Sequence, residues 1–244
     1  MRDVTMQPDP SELIERLGLD APPVGLYDAP DPAPFEPLVR PAAGQRTCVF
    51  TFYPRWLEGE TLHLTRDAFG CRGAGSCLLG VDTRSRDDLV NFLLEGEGLK
   101  RSRELVSQWV DQRQVYHPRH DHVLIGPLRR EQHAYLQTVT FFVNPDQLSA
   151  LIVGAHYDCG PNDPSPVLAP FGSGCLQLLP FGGDPALPHA VIGATDPAMR
   201  PSLPPDILAF IVNPPMLARL CALDEKSFLH RPFWRNLQRV REQL

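Results

Sequence analysis

The sequence predicts a single α/β or α+β domain built around one mixed β-sheet. Strand-like apolar segments and amphipathic helical segments are intermixed along the 244 residues, and no change of composition marks a domain boundary. The hydrophobic content of 43% is that of a globular protein, and a chain of this length can bury a large core. The 27 prolines exclude a long helical bundle, because proline interrupts helix interiors. We therefore treat residues 1–244 as one domain.

The first part of the chain predicts a short helix, a wrapping segment and a pair of strands. Residues 9–18 carry an amphipathic pattern that a glycine ends, as in a short surface helix. Residues 22–45 are rich in proline, which predicts an extended segment that wraps over the surface as a connector. Apolar and β-branched residues then predict strands at 46–53 and 61–65.

The remaining elements follow from the same two patterns. Amphipathic or capped segments predict three further helices, at residues 86–100, 101–115 and 233–243. Apolar runs predict four further strands, at residues 121–128, 135–143, 174–180 and 189–194. The run at 135–143 is the most apolar of these, so we expect it in the middle of the sheet.

Two segments that are 69 residues apart share one pattern. Residues 138–148 read TVTFFVNPDQL and residues 207–217 read ILAFIVNPPML, an apolar strand followed by Asn-Pro and a helix start. Asn144 and Asn213 are natural N-caps, the following prolines suit the first helical position, and Gln147 completes half of a capping box. These two strand–Asn-Pro–helix units suggest an internal duplication around a shared sheet, although many strand-to-helix turns look alike.

Charge and apolar content exclude several classes of protein. The net charge is −6 and no basic stripe is present, so a nucleic-acid partner is not expected. No apolar run is long enough to cross a membrane, and the first 20 residues have no apolar signal core. We therefore expect a cytoplasmic protein with no membrane partner. In a reducing compartment the six cysteines are free thiols, metal ligands or reactive groups rather than a disulfide framework.

The most specific local feature is the loop at residues 70–77, which reads GCRGAGSC. Its glycines permit sharp turns whose amides can bind an anion, and Cys71 and Cys77 border them. Arg72 adds a positive charge that would lower the pKa of a nearby thiol. Such a loop suits an iron–sulfur cluster, whose sulfurs accept backbone hydrogen bonds. A structural turn with two buried thiols explains the pattern about equally well, and the absence of Gly-Lys-Ser/Thr excludes a P-loop.

The other cysteines offer further ligands. Cys175 follows a second glycine-rich turn, Cys48 lies in a predicted strand, and Cys159 precedes a glycine. A site formed by Cys71, Cys77, Cys175 and either Cys48 or Cys159 is chemically sensible. The sequence contains no C-x-x-C, which makes a zinc site the weaker alternative. Cys221 lies in an apolar helix and is expected to be a buried core thiol.

Two polar groups could also bind a ligand. His117, His120 and His122 lie within six residues and could share one metal ion, but a solvated loop is the more common outcome for such spacing. Asp196 and Arg200 are four residues apart, so they could form a salt bridge on a helical turn, or Arg200 could anchor an anionic ligand.

Several short motifs follow one another in a definite order along the chain. They are Leu17-Gly18-Leu19, Pro22-Pro23-Val24, Cys48, Cys71 with its glycine-rich loop, Leu79-Gly80, Gly126-Pro127-Leu128, Asn144-Pro145 with Gln147 and Leu148, Tyr157 with Gly160, Cys175, and residues 193–200. In order and spacing they resemble domain-of-unknown-function family 169, the uncharacterised archaeal conserved region family. The family name implies no activity. The resemblance implies that its recurrent cysteines, here Cys71 and Cys175, are ligands of a cluster or metal.

The favoured hypothesis is a cysteine-ligated metal centre, most simply an iron–sulfur cluster, used in redox or small-molecule chemistry. Cys71 and Cys175 are the first candidate ligands and Cys48 and Cys77 the next, with Arg72 supplying positive charge. Its partner would be a small molecule or a redox protein.

The alternative hypothesis is a metal-free binding or regulatory protein for a small anionic ligand. Arg72 or Arg200 would hold that ligand beside the glycine-rich loops. The sequence does not decide between an enzyme and a binding protein, and it gives no oligomeric state.

Overall fold

The computed structural model describes residues 8–42, 46–81, 83–113, 115–179 and 184–243. Its strands are β1 Val24–Ala29, β2 Leu38–Val39, β3 Thr61–Leu64, β4 His122–Pro127, β5 Leu136–Val143, β6 Val167–Leu168, β7 Ala190–Gly193 and β8 Leu208–Val212. Its α-helices are α1 Ser11–Leu17, α2 Tyr53–Leu57, α3 Arg72–Leu79, α4 Arg86–Asn91, α5 Arg103–Gln112, α6 Pro145–Ala155, α7 Gly174–Gln177, α8 Pro214–Cys221 and α9 Pro232–Arg241. The predicted mixture of strands and helices in one domain is confirmed.

The eight strands form one mixed sheet in the order β2-β3-β4-β1-β5-β8-β7-β6. The two halves of this sheet have the same strand order and the same pairing. In each half the outermost pair, β2–β3 or β6–β7, is parallel, and the inner pairs are antiparallel. Strands β1 and β5 pair antiparallel at the centre, so the arrangement is approximately two-fold about that pair.

The proline-rich segment 22–45 is more than a surface connector. It contains β1, which is buried along its whole length between β4 and β5. Prolines 22 and 23 precede the strand instead of interrupting it, so its amides remain available to the sheet. The segment also supplies β2 at the edge of the sheet, while its residues 43–45 lie outside the described residues.

Two predicted strands are helical because they form crossover connections. Parallel neighbours such as β2 and β3 cannot be joined by a hairpin, and the chain must cross the sheet between them. Instead of a strand over 46–53, a 3₁₀-helix (Val49–Phe52) and α2 make this crossover. In place of the strand predicted at 174–180, α7 crosses between β6 and β7. Residue 180 lies outside the described residues.

Both Asn-Pro turns begin helices as predicted. Asn144 Oδ1 accepts a hydrogen bond from the amide of Gln147 at 2.9 Å, and Gln147 Oε1 accepts one from the amide of Asn144 at 3.0 Å, a complete capping box. Asn213 Oδ1 accepts a hydrogen bond from the amide of Met216 at 3.1 Å. The strands that precede these turns, β5 and β8, are antiparallel neighbours. The suggested duplication of these two units is not confirmed, because the symmetry of the sheet relates β5 to β1 and β8 to β4.

Each face of the sheet carries its own core. Helices α1, α6, α8 and α9 pack on one face, around buried side chains such as Tyr27 and Phe141. The crossover helices α2 and α7 pack with α3 on the other face, around Trp56 and Phe142. Cys48, Cys71, Cys77 and Cys175 all lie on this second face. None of the helices within the described ranges is long and apolar enough to cross a membrane.

Candidate functional site

The two crossovers bring Cys48 and Cys175 into one neighbourhood, although they are far apart in sequence. Cys48 begins the β2–β3 crossover and Cys175 lies in α7, and both pack in the core of the same face. Gly70 then brings Cys71 beside Cys48. Its φ is +71°, and a Cβ there would lie only 2.5 Å from the carbonyl oxygen of Thr47. Only glycine fits this approach without strain.

Cys71 is the N-cap of α3. Its Sγ accepts a hydrogen bond from the amide of Ala74 at 3.4 Å. A hydrogen bond from the thiol of Cys175 lowers the pKa of Cys71, and the amides of Ala74 and Gly73 lower it further, against the opposing effect of burial. The pKa falls from 9.0 to about 6. Cys71 is therefore a thiolate at neutral pH.

Cys175 is the buried partner of this thiolate and is only 5% exposed. Its hydrogen bond to Cys71, together with burial, raises its pKa well above the ordinary value. The pair thus shares one proton, held on Cys175. Asp196 Oδ2 accepts a hydrogen bond from the amide of Gly174 at 3.1 Å, which holds the start of α7 in place. Gly174 also packs closely against Phe50, because a Cβ at this position would lie 2.8 Å from the Phe50 ring.

Cys48 and Cys77 complete the group of four cysteines. Burial raises the pKa of both, so both are neutral thiols at pH 7. Ser173 Oγ lies 3.5 Å from Cys77 Sγ. The structure therefore brings together Cys71, Cys175, Cys48 and Cys77. Among the described residues, no group of three or more His, Cys, Asp or Glu side chains is placed to hold a metal ion.

The remaining two cysteines lie away from this group. Cys221 packs against the core of the opposite face, where burial raises its pKa to about 12, as expected of a core thiol. Cys159 Sγ lies 3.5 Å from a guanidinium nitrogen of Arg219. Neither residue can join a site at Cys71.

Ser173 was missed as a site residue, although the sequence carries a signal for it. It is the N-cap of α7 and accepts a hydrogen bond from the amide of Leu176 at 3.4 Å. Serine before Gly-Cys-Leu is a helix-start signal, which the apolar run of 174–180 outweighed.

The two candidate arginines have roles that differ from those predicted. Arg72 is exposed on the first turn of α3, and the low pKa of Cys71 comes from Cys175 and the backbone amides instead. Arg200 donates hydrogen bonds to four carbonyl oxygens, those of Ala194, Pro204, Pro205 and Ile207. Asp196 accepts from the amides of Gly174 and Ala198. The predicted pairing of Asp196 with Arg200 is therefore wrong. Arg200 instead stabilises its own loop through these hydrogen bonds.

The three clustered histidines take different partners. His120 Nδ1 lies 3.1 Å from a carboxylate oxygen of the buried Asp28, whereas His122 Nδ1 lies 2.9 Å from Nε2 of His63. His117 is exposed beside Gly80. They therefore do not share one metal ion.

His63 is buried and makes the fold sensitive to acid. It is 0% exposed, and its Nδ1 accepts a hydrogen bond from Arg40 Nε at 3.1 Å. Burial, followed by the charges of Arg40 and His122, lowers the pKa of His63 from 6.5 to about 4. The unfolded chain therefore binds the proton more readily. The stability that neutral His63 contributes is complete above about pH 6.5 and is lost as the pH falls to about 4.

We predict that the free energy of unfolding falls by about 2 kcal/mol between pH 7 and pH 5, because the unfolded chain protonates His63 more readily than the folded protein does. Urea unfolding at both pH values measures the loss. His63→Gln should remove most of this pH dependence, and His117→Gln, at an exposed position, should retain it. An equal acid sensitivity in the His63→Gln protein would show that another group is responsible.

Comparison with known proteins places the chain in a family but gives it no activity. No curated protein and no solved structure matches the sequence. The family model described as uncharacterised ArCR, DUF169, matches residues 12–222, which is most of the chain and includes all four clustered cysteines. The chain therefore belongs to the DUF169 family.

Proposed function

We propose that the chain is a thiol–disulfide redox protein in which Cys71 is the nucleophile and Cys175 the resolving thiol. One observation carries the proposal: Cys71 Sγ caps the N-terminus of α3, where it accepts a hydrogen bond from the amide of Ala74 at 3.4 Å, and the neighbouring Cys175 thiol lowers its pKa. This arrangement prepares one sulfur to attack and holds the second sulfur, with its proton, next to the first. A buried structural pair of thiols would need no thiolate at all.

The chemistry is a two-step exchange. The Cys71 thiolate attacks one sulfur of a disulfide RSSR, which forms a mixed disulfide and releases RS⁻. Cys175 then attacks Cys71 Sγ, releases the second RS⁻ and gives up its proton to a released thiolate. The products are RSH, RS⁻ and a Cys71–Cys175 disulfide, so the substrate gains the two electrons that the protein loses. A pKa of about 6 suits the first step, because the sulfur is ionised at neutral pH and still nucleophilic.

An iron–sulfur cluster is the second candidate, and the gathering of four thiols on one face favours it. Cys71, Cys175, Cys48 and Cys77 would be its ligands, and the amides that stabilise the Cys71 thiolate would also stabilise a bound cluster sulfur. Such a cluster would supply one-electron redox chemistry. A zinc ion is a weaker candidate, because the sequence has no C-x-x-C. In the described part of the chain, no group of three or more ligating side chains is placed to hold a metal ion, which counts against a cluster and a zinc ion alike.

The pH dependence of alkylation tests the thiol proposal. The rate of iodoacetamide modification at Cys71, followed by peptide mass spectrometry, should rise with a midpoint near pH 6. Cys71→Ser should abolish this phase, and Cys221→Ser should leave it unchanged. Without a midpoint below about pH 8, the thiol proposal would fail.

Metal analysis of anaerobically purified protein tests the second candidate. Iron and acid-labile sulfide that copurify with the chain, and that are lost in both Cys71→Ser and Cys175→Ser, would support a cluster. Protein without iron or sulfide, even after anaerobic reconstitution, would remove that candidate.

A further inference from the structure

An open cationic cavity lies next to the first turn of α3. Thr83, Arg84, Ser85 and Arg86 line a volume of about 660 Å³. The hydroxyl of Thr83 donates a hydrogen bond to the carbonyl oxygen of Arg72 at 3.2 Å. Because Arg72 directly follows Cys71, this contact joins the cavity wall to the turn that carries the residue that we propose as the nucleophile.

Arg84 lines this cavity, and no ion pair within the described ranges includes it. Its guanidinium lies 3.9 Å from the centre of the Phe92 ring, and its buried Nε has no hydrogen-bond acceptor among the described residues. Burial lowers the pKa of Arg84, and the positive charges of Arg72 and Arg46 lower it further. Three guanidinium groups thus lie close enough to repel one another, which an anion between them would relieve.

Among the described residues, the acidic groups near Arg84 form no hydrogen bond or ion pair with it. These groups are Glu97 and Asp88, which attract its charge. Burial and the nearby Asp196 raise the pKa of Glu97, so its negative charge is itself disfavoured. Arg86, on the same cavity wall, is already paired: its Nε and Nη2 donate to the carboxylate of Asp111 at 2.6 and 2.7 Å.

We propose that this cavity binds the carboxylate of a small anionic disulfide and presents its S–S bond to Cys71. This inference rests on the thiol function proposed above and names its substrate class. Arg84, Arg72 and Arg46 would hold the carboxylate. The Cys71 thiolate then attacks the nearer sulfur and releases one carboxylate-bearing thiolate. The second such group leaves as Cys175 closes the protein disulfide, and the proton of Cys175 passes to one of the released thiolates.

Two aromatic disulfides test the proposal. Dithiobis(2-nitrobenzoate) carries two carboxylates, and 2,2′-dithiodipyridine is neutral, so their second-order rate constants with reduced protein separate charge recognition from thiol reactivity. Arg84→Gln should slow the anionic probe about tenfold and change the rate with the neutral probe by less than about twofold. Arg235→Gln removes the same charge from the exposed side of α9, on the other face of the sheet, and it should leave both rates within about twofold.

The outcomes keep the two proposals separate. Equal slowing of the anionic probe in the two variants would overturn the binding site, because only net charge would then matter. An unchanged rate in Arg84→Gln would also overturn it. If the neutral probe fails to react with Cys71 in the unsubstituted protein, the thiol function itself is wrong, whatever the arginines do.

Discussion

Replacement of Asp28 by alanine is expected to lower the free energy of unfolding by about 3–5 kcal/mol. The Asp28 carboxylate is 2% exposed and accepts four hydrogen bonds. Oδ2 accepts from the hydroxyl of Tyr116 at 2.8 Å and the amide of Arg119 at 2.7 Å. Oδ1 accepts from the amide and the ring of His120 at 2.9 and 3.1 Å. The substitution leaves these donors without their acceptor, and it frees the loop before β4 from β1.

Urea unfolding measures this loss, and two further variants locate its source. Tyr116→Phe removes one of the four donors and should cost about 1–2 kcal/mol. Asp121→Ala removes an exposed carboxylate from the same loop and should cost less than about 0.5 kcal/mol. If Asp28→Ala and Asp121→Ala were equally stable, the network around Asp28 would not hold the loop.

Replacement of Cys175 by alanine is expected to move the alkylation midpoint of Cys71 from about 6 toward the ordinary thiol value of 9.0. The thiol of Cys175 is the largest cause of the low pKa, and alanine has no donor to replace it. At pH 5 the alkylation rate should fall about tenfold, because the loss of thiolate exceeds the gain in intrinsic nucleophilicity.

Serine at the same position provides the matched control. Cys175→Ser keeps a hydroxyl donor, so the midpoint should stay close to that of the unsubstituted protein, although neither variant can form the Cys71–Cys175 disulfide. If Cys175→Ala also keeps a midpoint near 6, the amides of α3 alone stabilise the thiolate. Cys175 would then have no part in activating Cys71.

Much of the fold could be predicted because some signals are local. Asn144 and Asn213 cap helices as the residues around them indicate, and the apolar run at 135–143 forms the central strand β5. The crossover segments could not be predicted in this way. Residues 46–53 are apolar because they cover the sheet, and a covering 3₁₀-helix and a buried strand both select apolar side chains.

The candidate site was predictable in its residue types but not in its chemistry. The glycine-rich loops at Cys71 and Cys175 predicted that these two thiols belong to a functional site. The structure places Cys48 and Cys77 in the same core. The low pKa of Cys71 depends on a hydrogen bond between sulfurs more than 100 residues apart, which no local pattern encodes. The buried carboxylate of Asp28 was missed for the same reason, because its partners all come from the loop before β4.

The central position of β1 has a consequence for synthesis on the ribosome. Tyr27 and Pro127 are joined by a hydrogen bond but are 100 residues apart in the chain, and both neighbours of β1 are made long after it. The nascent chain therefore carries an apolar strand with two unpaired edges until β4 and β5 emerge. Such a high contact order slows folding and lengthens the time in which this strand can pair with another chain. The prolines at 22 and 23, which precede the strand, limit that risk because they offer no amide to an incoming partner.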